Sequence, residues 1–159
     1  MKAKQQYARI KGRADFRIRQ AGIKDFEAVF KLLCSLWEGK TLDKAAIRRV
    51  FVNSLKDRNY AAFVCVDAGK ITGFAGTQIR CMLWQAGKMC RLNELVVDEK
   101  LRGKGTGSRL LAAVERHAKA KGCKGVDLET AVHRKRTHKF YEKRNYLHRA
   151  FYYCKVFKG

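Results

Sequence analysis

The 159-residue chain has no proline, and acidic residues are scarce, with 14 Asp and Glu against 36 Lys and Arg. No apolar run approaches the ~20 residues that a membrane-spanning helix requires, and no secretory pattern follows Met1-Lys2-Ala3-Lys4. The six cysteines, Cys34, Cys65, Cys81, Cys90, Cys123 and Cys154, never form C-x-x-C. Most fall in apolar or strand-like stretches, where a free thiol behaves as a small core residue. These absences predict a reduced, cytoplasmic protein with no membrane attachment. A metal site is not indicated either, because the four histidines have no H-E-x-x-H or paired-cysteine context.

Positive charge is what the chain has in excess. A formal charge of +22 attracts anions of any kind, whether nucleic acid, anionic membrane or a phosphate-bearing small molecule, and does not choose among them. Apolar residues at 47% together with thirteen glycines describe an ordered globular protein rather than a basic tail. The length suits one core. The reading is a basic N-terminal segment over 1–14, carrying Lys2, Lys4, Arg9, Lys11 and Arg13, followed by a single domain over 15–159 without linker, repeat or low-complexity segment.

Periodicity gives the order of elements. Phe16 and Ile18 alternate with Arg17 and Arg19 in a strand over 15–19, and Phe26, Val29, Phe30, Leu33 and Trp37 then recur at helical spacing. Thr41 is the expected cap of a second helix, with Ile47, Val50, Phe51 and Leu55 along one stripe. Strands follow over 60–66 and 71–79, where Gly73 and Gly76 mark a bulge or a close backbone approach. In the next strand, 89–97, strict alternation puts Leu92, Glu94 and Val96 on one face and Asn93, Leu95 and Val97 on the other. A helix from about Thr106 to Lys121 carries Leu110, Leu111, Val114 and Ala118 on its apolar face. A strand over 125–130, a short helix over 137–144 and one or two aromatic strands over 146–157 complete an α/β sheet flanked by helices.

Between the strand ending at Val97 and the helix lies Arg102-Gly103-Lys104-Gly105-Thr106-Gly107-Ser108. Alternating glycines leave the backbone without side-chain walls, so successive N–H groups and the orphan donors of the helix start can turn toward an anion. A pyrophosphate suits such a nest, with Arg102 and Lys104 adding positive field and Ser108 and Arg109 adding donors. The phosphate-loop motif G-x-x-x-x-G-K-[ST] is absent. The dinucleotide fingerprint G-x-G-x-x-G fails as well, since its sixth position is Ser108 or Leu110.

The combination Arg102-x-x-Gly105-x-Gly107, preceded by Leu92-Asn93-Glu94-Leu95-Val96-Val97-Asp98 and followed by an amphipathic helix, resembles the GNAT N-acetyltransferase family. The later run from His138 to Tyr146 resembles that family's stretch after its fifth strand. The resemblance implies a mixed, mostly antiparallel central sheet flanked by helices, and acetyl-coenzyme A as acetyl donor. It implies that backbone amides from Arg102 to Gly107 hold the pyrophosphate. It also implies that the strand end at Leu95, Val96 and Val97 hydrogen-bonds the pantetheine arm, with one amide polarising the thioester carbonyl.

By the same resemblance, Tyr141 is the general acid toward the leaving thiol. A phenol of pKa ~10 is a weaker acid than a thiol of ~8.5, so full donation is uphill by ~2 kcal/mol unless Lys139 and Lys143 lower the gap. The alternative is that Tyr141 only packs or hydrogen-bonds the sulfur. Glu94 matches a position where several family members carry an acid near the acceptor amine. Deprotonating an alkylammonium of pKa ~10.4 costs ~4.6 kcal/mol at pH 7, and an ordinary carboxylate is a weak base for that task unless burial raises its pKa. Its alternative is an ion pair with Arg91 or another basic side chain of a charge-rich surface. Where many members carry asparagine, this chain has Arg134, positioned to reach an anion with Lys135. Trp37, Tyr60 and Trp84 are either pocket walls or packing.

The expected partner is a small amine or an amino-acid-like acceptor with a carboxylate, since a +22 surface repels polycations. A homodimer through Phe151-Tyr152-Tyr153 is a further expectation. Competing classes are a nonspecific nucleic-acid-binding protein, which leaves the glycine loop unexplained, and a noncatalytic coenzyme A-binding scaffold, which needs neither Tyr141 nor Glu94.

Overall fold

A computed structural model describes residues 16–37 and 39–157. The predicted basic segment 1–14 and the first residue of the predicted strand lie outside the described residues. The chain divides into two compact units, the first ending at Asp127 and the second beginning at Leu128.

In the first unit the alternating segments form an antiparallel run: β1 (Arg17–Gln20) pairs with β2 (Tyr60–Asp67), β2 with β3 (Lys70–Met82) and β3 with β4 (Gly87–Val97). β5 (Cys123–Leu128) completes the order β1-β2-β3-β4-β5. A Cβ on Gly125 would lie 3.2 Å from Met89 Cε, and Arg91 stands 3.7 Å from Asp127, so residue numbers rise together and β5 runs parallel to β4. The sheet is therefore mixed and mostly antiparallel, as expected.

Helix α1 (Phe26–Leu36) and helix α2 (Lys44–Ser54) cover one face. Phe26, Val29, Leu32 and Leu33 of α1 and Phe51 of α2 pack on Ala62, Val64, Val66, Phe74 and Val96. Ring centroids of Phe51 lie 5.7 Å from Phe26 and 6.3 Å from Phe74. The start of α1 is pinned by Asp25, which accepts two bonds from the Arg19 guanidinium, at 2.6 and 2.9 Å, and one from the Gly22 amide at 2.8 Å. The Arg19 bond holds the Asp25 carboxyl below its ordinary range. The cap of α2 is Asp43, not Thr41: its carboxylate accepts from the Ala46 amide at 2.9 Å, because capping needs the side chain on the residue just before the first helical one.

Helix α3 (Thr106–Ala120) covers the other face, burying Leu110, Leu111, Val114 and Ala118 as their spacing predicts, with His117 edge-on to Phe63 at 5.6 Å. Of the six free cysteines only Cys65 and Cys90 are buried, and burial pushes both thiols up, Cys90 to about 11. Cys34, Cys81 and Cys154 are exposed, so the expectation of core thiols holds for a minority.

Two irregularities break the β3 ladders. Opposite β2 the register slips between Cys65 and Val66, leaving Thr72 unmatched, and opposite β4 it slips between Gly76 and Thr77, leaving Asn93 unmatched. Opposed residues of an antiparallel pair share a face. Glu94 and Val96, opposite Gly76 and Phe74, therefore face α1 and α2, whereas Leu92, opposite Thr77, shares the α3 face with Leu95 and Val97. The expected grouping of Leu92 with Glu94 is overturned, because one extra residue inverts the alternation.

The second unit holds helix α4 (Lys135–Glu142), which ends in a left-handed Asn145 at φ 62°, with the Tyr146 amide bonded back to the Tyr141 carbonyl at 3.2 Å. The aromatic strands expected over 146–157 are absent, and 147–157 carry no helix or strand. Phe151, Tyr152 and Tyr153 are all exposed in succession, at 81%, 65% and 88%, so no alternate face is buried to fix a strand. Among the described residues no helix is long and apolar enough to cross a membrane.

Phe74, 2% exposed, joins both helices of its face to the sheet. Phe74→Ala is expected to lower unfolding free energy by about 3–5 kcal/mol in a denaturant titration.

Candidate active site

The end of β4 and the start of α3 are joined by a short structured loop. The Asp98 amide donates to the Thr72 carbonyl at 2.9 Å, so the bulged residue of β3 anchors the loop where it leaves the sheet. The Asp98 carboxylate then accepts from the Lys100 amide at 2.9 Å and starts a 3-10 turn over Glu99–Leu101. The guanidinium of Arg102 donates to Glu99 at 2.8 Å and to the Val97 carbonyl at 3.3 Å, and its amide donates to the Glu99 carbonyl at 3.2 Å. Arg102 thus braces the loop from within.

Gly103 and Gly105 follow with φ of 80° and 88°, in the left-handed region. At Gly103 a Cβ would meet nothing within 4 Å, so backbone conformation, not crowding, requires glycine there. Gly105 is the N-cap of α3 and supplies no capping side chain. The amides of Thr106 and Gly107 therefore begin the helix without intrahelical acceptors, at the positive end of its dipole. The helix mouth is seated hard on β3: a Cβ on Gly73 would lie 2.8 Å from Leu110 Cδ1 and 3.3 Å from Thr106 Cγ2. Arg109 stacks on Phe16 at 4.3 Å and is thereby occupied away from the loop. The expected side-chain donors are thus partly engaged elsewhere, and the anion-attracting character of the loop resides in its main chain.

Glu94 stands on β4 just past the bulge and is half-buried. A Cβ on the opposing Gly76 would collide with Glu94 Oε2 and lie 2.8 Å from the Tyr60 hydroxyl, so the carboxylate lies over bare backbone beside a phenol. Burial pushes the Glu94 carboxyl up to about 7. The Tyr60 hydroxyl is also pushed well above its ordinary value, by burial first and by the nearby Glu94 charge second. Arg91 lies on Asp127. As a strand, β5 ends at Leu128, and its Gly125 and Asp127 lie abreast of Met89 and Arg91. β4 runs on past that level through Leu95, Val96 and Val97.

Tyr141 and Arg134 belong to the second unit. Tyr141 is buried, with ring centroids of Phe140 and Tyr146 at 5.1 and 5.5 Å, and burial pushes its hydroxyl up to about 12. The expected lowering by Lys139 and Lys143 is not realised, since both are exposed and desolvation dominates. Arg134 is the N-cap of α4 and makes no side-chain cap bond. His138 Nε2 lies 2.9 Å from the Ala131 carbonyl, which gives that histidine a structural partner. Trp37 packs against the core, and Trp84 is 70% exposed. Sequence reasoning missed Gly76 as the seat of Glu94; the available signal was the period-two row Phe74, Gly76, Gln78, Arg80 once paired in register with β4.

Left-handed glycines, an uncapped helix mouth and a strand that outruns its neighbour suit a ligand with a pyrophosphate head and an extended amide-bearing arm. Comparison with known proteins gives the class. The acetyltransferase (GNAT) family profile matches residues 26–146, and the chain belongs to that family. It is 30% identical over 139 residues to an aminoalkylphosphonate N-acetyltransferase of Salmonella typhimurium, covering 87% of this chain and 90% of the relative. Glucosamine-6-phosphate N-acetyltransferase from Arabidopsis thaliana superposes with a TM-score of 0.75 at 27% identity, covering 90% of this chain and 99% of that one. An aminoglycoside N-acetyltransferase solved with CoA shares the fold, with a TM-score of 0.78 at 24% identity over 91% and 97% of the two chains. The protein is an acetyltransferase of a fold that implies acetyl-CoA binding.

Left-handed strain on a non-glycine residue costs roughly 1–2 kcal/mol. Gly105→Ala is expected to raise the acetyl-CoA Kd about tenfold by calorimetry. Gly122→Ala, at φ 70° beyond the far end of α3, carries similar strain and leaves that Kd unchanged.

Proposed function

We propose that this protein moves the acetyl group of acetyl-CoA directly onto the amine of a small molecule, with Glu94 receiving the acceptor's ammonium and its proton. The observation that carries the proposal is the half-buried Glu94 carboxyl, raised to about 7, on the stretch of β4 that runs past the bulge toward the glycine loop. Acetyl-CoA supplies the activated acetyl thioester. The main-chain amides over 103–107 receive the pyrophosphate, and the β4 edge at Leu95, Val96 and Val97 orients the extended arm. An amide of that edge is assigned to the carbonyl oxygen, where a fixed N–H stabilises developing negative charge more than the ground state.

Burial of Glu94 changes the energetics of deprotonation. Transfer from an alkylammonium of pKa ~10.4 to an ordinary carboxylate of ~4.3 is uphill by about 8 kcal/mol. With the carboxyl near 7 the gap falls to about 4.6 kcal/mol. Tyr141 is assigned by its place in the family motif to the leaving sulfur. With its hydroxyl near 12, full donation to a thiolate of ~8.5 is uphill by about 5 kcal/mol. Its role is therefore hydrogen-bond donation at the sulfur rather than complete proton transfer, and the phenol stays protonated throughout the working pH range.

Two relatives support a small acceptor that carries an acid group. The names of the Salmonella and Arabidopsis enzymes each specify an amine compound bearing a phosphonate or a phosphate. The +22 charge of the present chain favours the approach of such anions.

Thiol release measured across amine classes tests the proposal. In the wild type, kcat/KM is expected to rise with pH through about 7 as Glu94 loses its proton. In Glu94→Gln that limb disappears and the rate falls about 10²- to 10³-fold. An unaltered profile removes Glu94 from proton handling. Tyr141→Phe is expected to reduce kcat about tenfold or more while the acetyl-CoA Kd moves little, and equal turnover in that variant removes the assignment.

A further inference from the structure

Gly76 is a glycine that its own backbone does not require. It has no left-handed φ, and it stands inside β3, where a residue without a side chain weakens a strand. Its neighbours are what exclude a Cβ: Glu94 Oε2, the Tyr60 hydroxyl at 2.8 Å and Phe74 Cζ at 3.4 Å. Ala62 of β2 and Glu94 of β4 are its partners on either side, so two small residues and a carboxylate form one row across the sheet. The sheet face is bare at this point, and a carboxylate oxygen, a phenol oxygen and an aromatic edge bound it.

Tyr60 reaches this point from the start of β2. Its partner on β3 is Gln78, and Gly76 is its diagonal neighbour, a span that an aromatic side chain crosses. The backbone there is pinned. The Tyr60 amide donates to the Asp57 carbonyl at 3.0 Å, and the Asp57 carboxylate accepts from the Asn59 amide at 2.8 Å and from Gln78 Nε2 at 3.0 Å. Tyr60 also packs against the core cluster of α1 and α2. Burial first and the Glu94 charge second hold its hydroxyl well above the ordinary range, so the phenol stays neutral. Among the described residues no hydrogen bond joins Tyr60 to Glu94, and the carboxylate reaches the phenol through its charge.

We infer that Tyr60 is the second ligand of the acceptor's ammonium, its hydroxyl oxygen accepting one N–H while the Glu94 carboxylate accepts another over Gly76. Hydrogen bonds of about 2.7–3.2 Å let one nitrogen span two oxygens up to about 6 Å apart. Two oxygens that would both touch one added carbon lie within that span. A neutral phenol suits the chemistry, because a second carboxylate would favour the charged ammonium and oppose its deprotonation. When the N–H bond facing Glu94 breaks, the proton passes to the carboxylate, which becomes a carboxyl, and the electron pair stays on nitrogen for the attack. Tyr60 neither takes nor gives a proton. Its bond to the other N–H is therefore alike before and after the transfer, and a bond of that kind lowers KM while leaving kcat unchanged. The inference rests on the acetyl-transfer reading and adds to it the group that holds the amine in place.

Y60F removes the hydroxyl and keeps the ring. Thiol release at saturating acetyl-CoA is read with 2-aminoethylphosphonate and with propylamine, which has the amine but no acid group. In Y60F the KM of both amines is expected to rise about tenfold, with kcat within about threefold of wild type. The acetyl-CoA Kd keeps its wild-type value, which separates loss of this contact from loss of folded protein. Gly76→Ala, whose added carbon displaces both oxygens, is expected to raise the amine KM at least as far. An amine KM unmoved in Y60F overturns the assignment, and so does a rise confined to the phosphonate or a kcat loss as deep as that of Glu94→Gln. If neither amine releases thiol in the wild type, the acetyl-transfer reading fails separately, and calorimetric titration of 2-aminoethylphosphonate into the CoA-loaded protein decides. Binding about tenfold weaker in Y60F supports the second ligand, whereas equal binding, or none to the wild type, overturns it.

Discussion

An antiparallel ladder keeps opposed residues on one face, and the residue that β3 leaves unmatched, Asn93, turns over every later side chain of β4. Before it, Leu92 lies on the α3 face. After it, Glu94 lies on the opposite face, over a glycine that leaves room for its carboxylate. Without the bulge, strict alternation would put Glu94 on the same side as Leu92, toward α3 and its apolar packing. The second bulge, at Thr72, has a complementary effect: its carbonyl holds Asp98 and so sets where the glycine loop leaves the sheet. Both irregularities fall next to a β3 glycine, and each glycine is required by a close neighbour rather than by its own backbone angle.

The electrostatics of the site contrast with those of the whole chain. A surface of +22 sets a long-range field that draws anions, but the groups that would do the chemistry are governed by desolvation. Glu94 and Tyr141 are both shifted by burial alone, in the direction that favours their neutral forms. For Glu94 this places ionisation near neutrality, where a base is most useful. For Tyr141 it makes a poor acid poorer, which in the proposed reaction leaves it a hydrogen-bond donor rather than a proton donor. The loop is similarly economical in side-chain charge, since Arg102 and Arg109 are engaged with Glu99 and Phe16.

Much of this arrangement was legible from spacing. The buried stripe of α3, most of the segments that become β1 to β4 and the glycine loop all follow local rules of period and turn chemistry, whereas the mostly antiparallel sheet is implied by the family resemblance. The failures share a cause. Thr41 and Asp43 are both good caps, and only the place where the helix begins chooses between them. The aromatic run over 151–157 has strand composition, but a strand also needs a partner ladder and a face to bury. Leu92 was misassigned because a bulge is a property of two strands in register and leaves no mark on one strand's alternation.

By itself, then, the chain determined most of the segments that become helices and strands, though not the fate of 146–157. It also determined where glycine opens the backbone at a helix mouth and which family it resembles, because each of these depends on neighbours within a few residues. Only the tertiary structure decided that Glu94 rests over Gly76, that its carboxyl is raised toward 7, and that Arg80 and Arg91 meet on Asp127. Those outcomes come from cross-strand register and from the removal of water. Neither is encoded at a single position, since each arises only when strands distant in sequence are laid side by side.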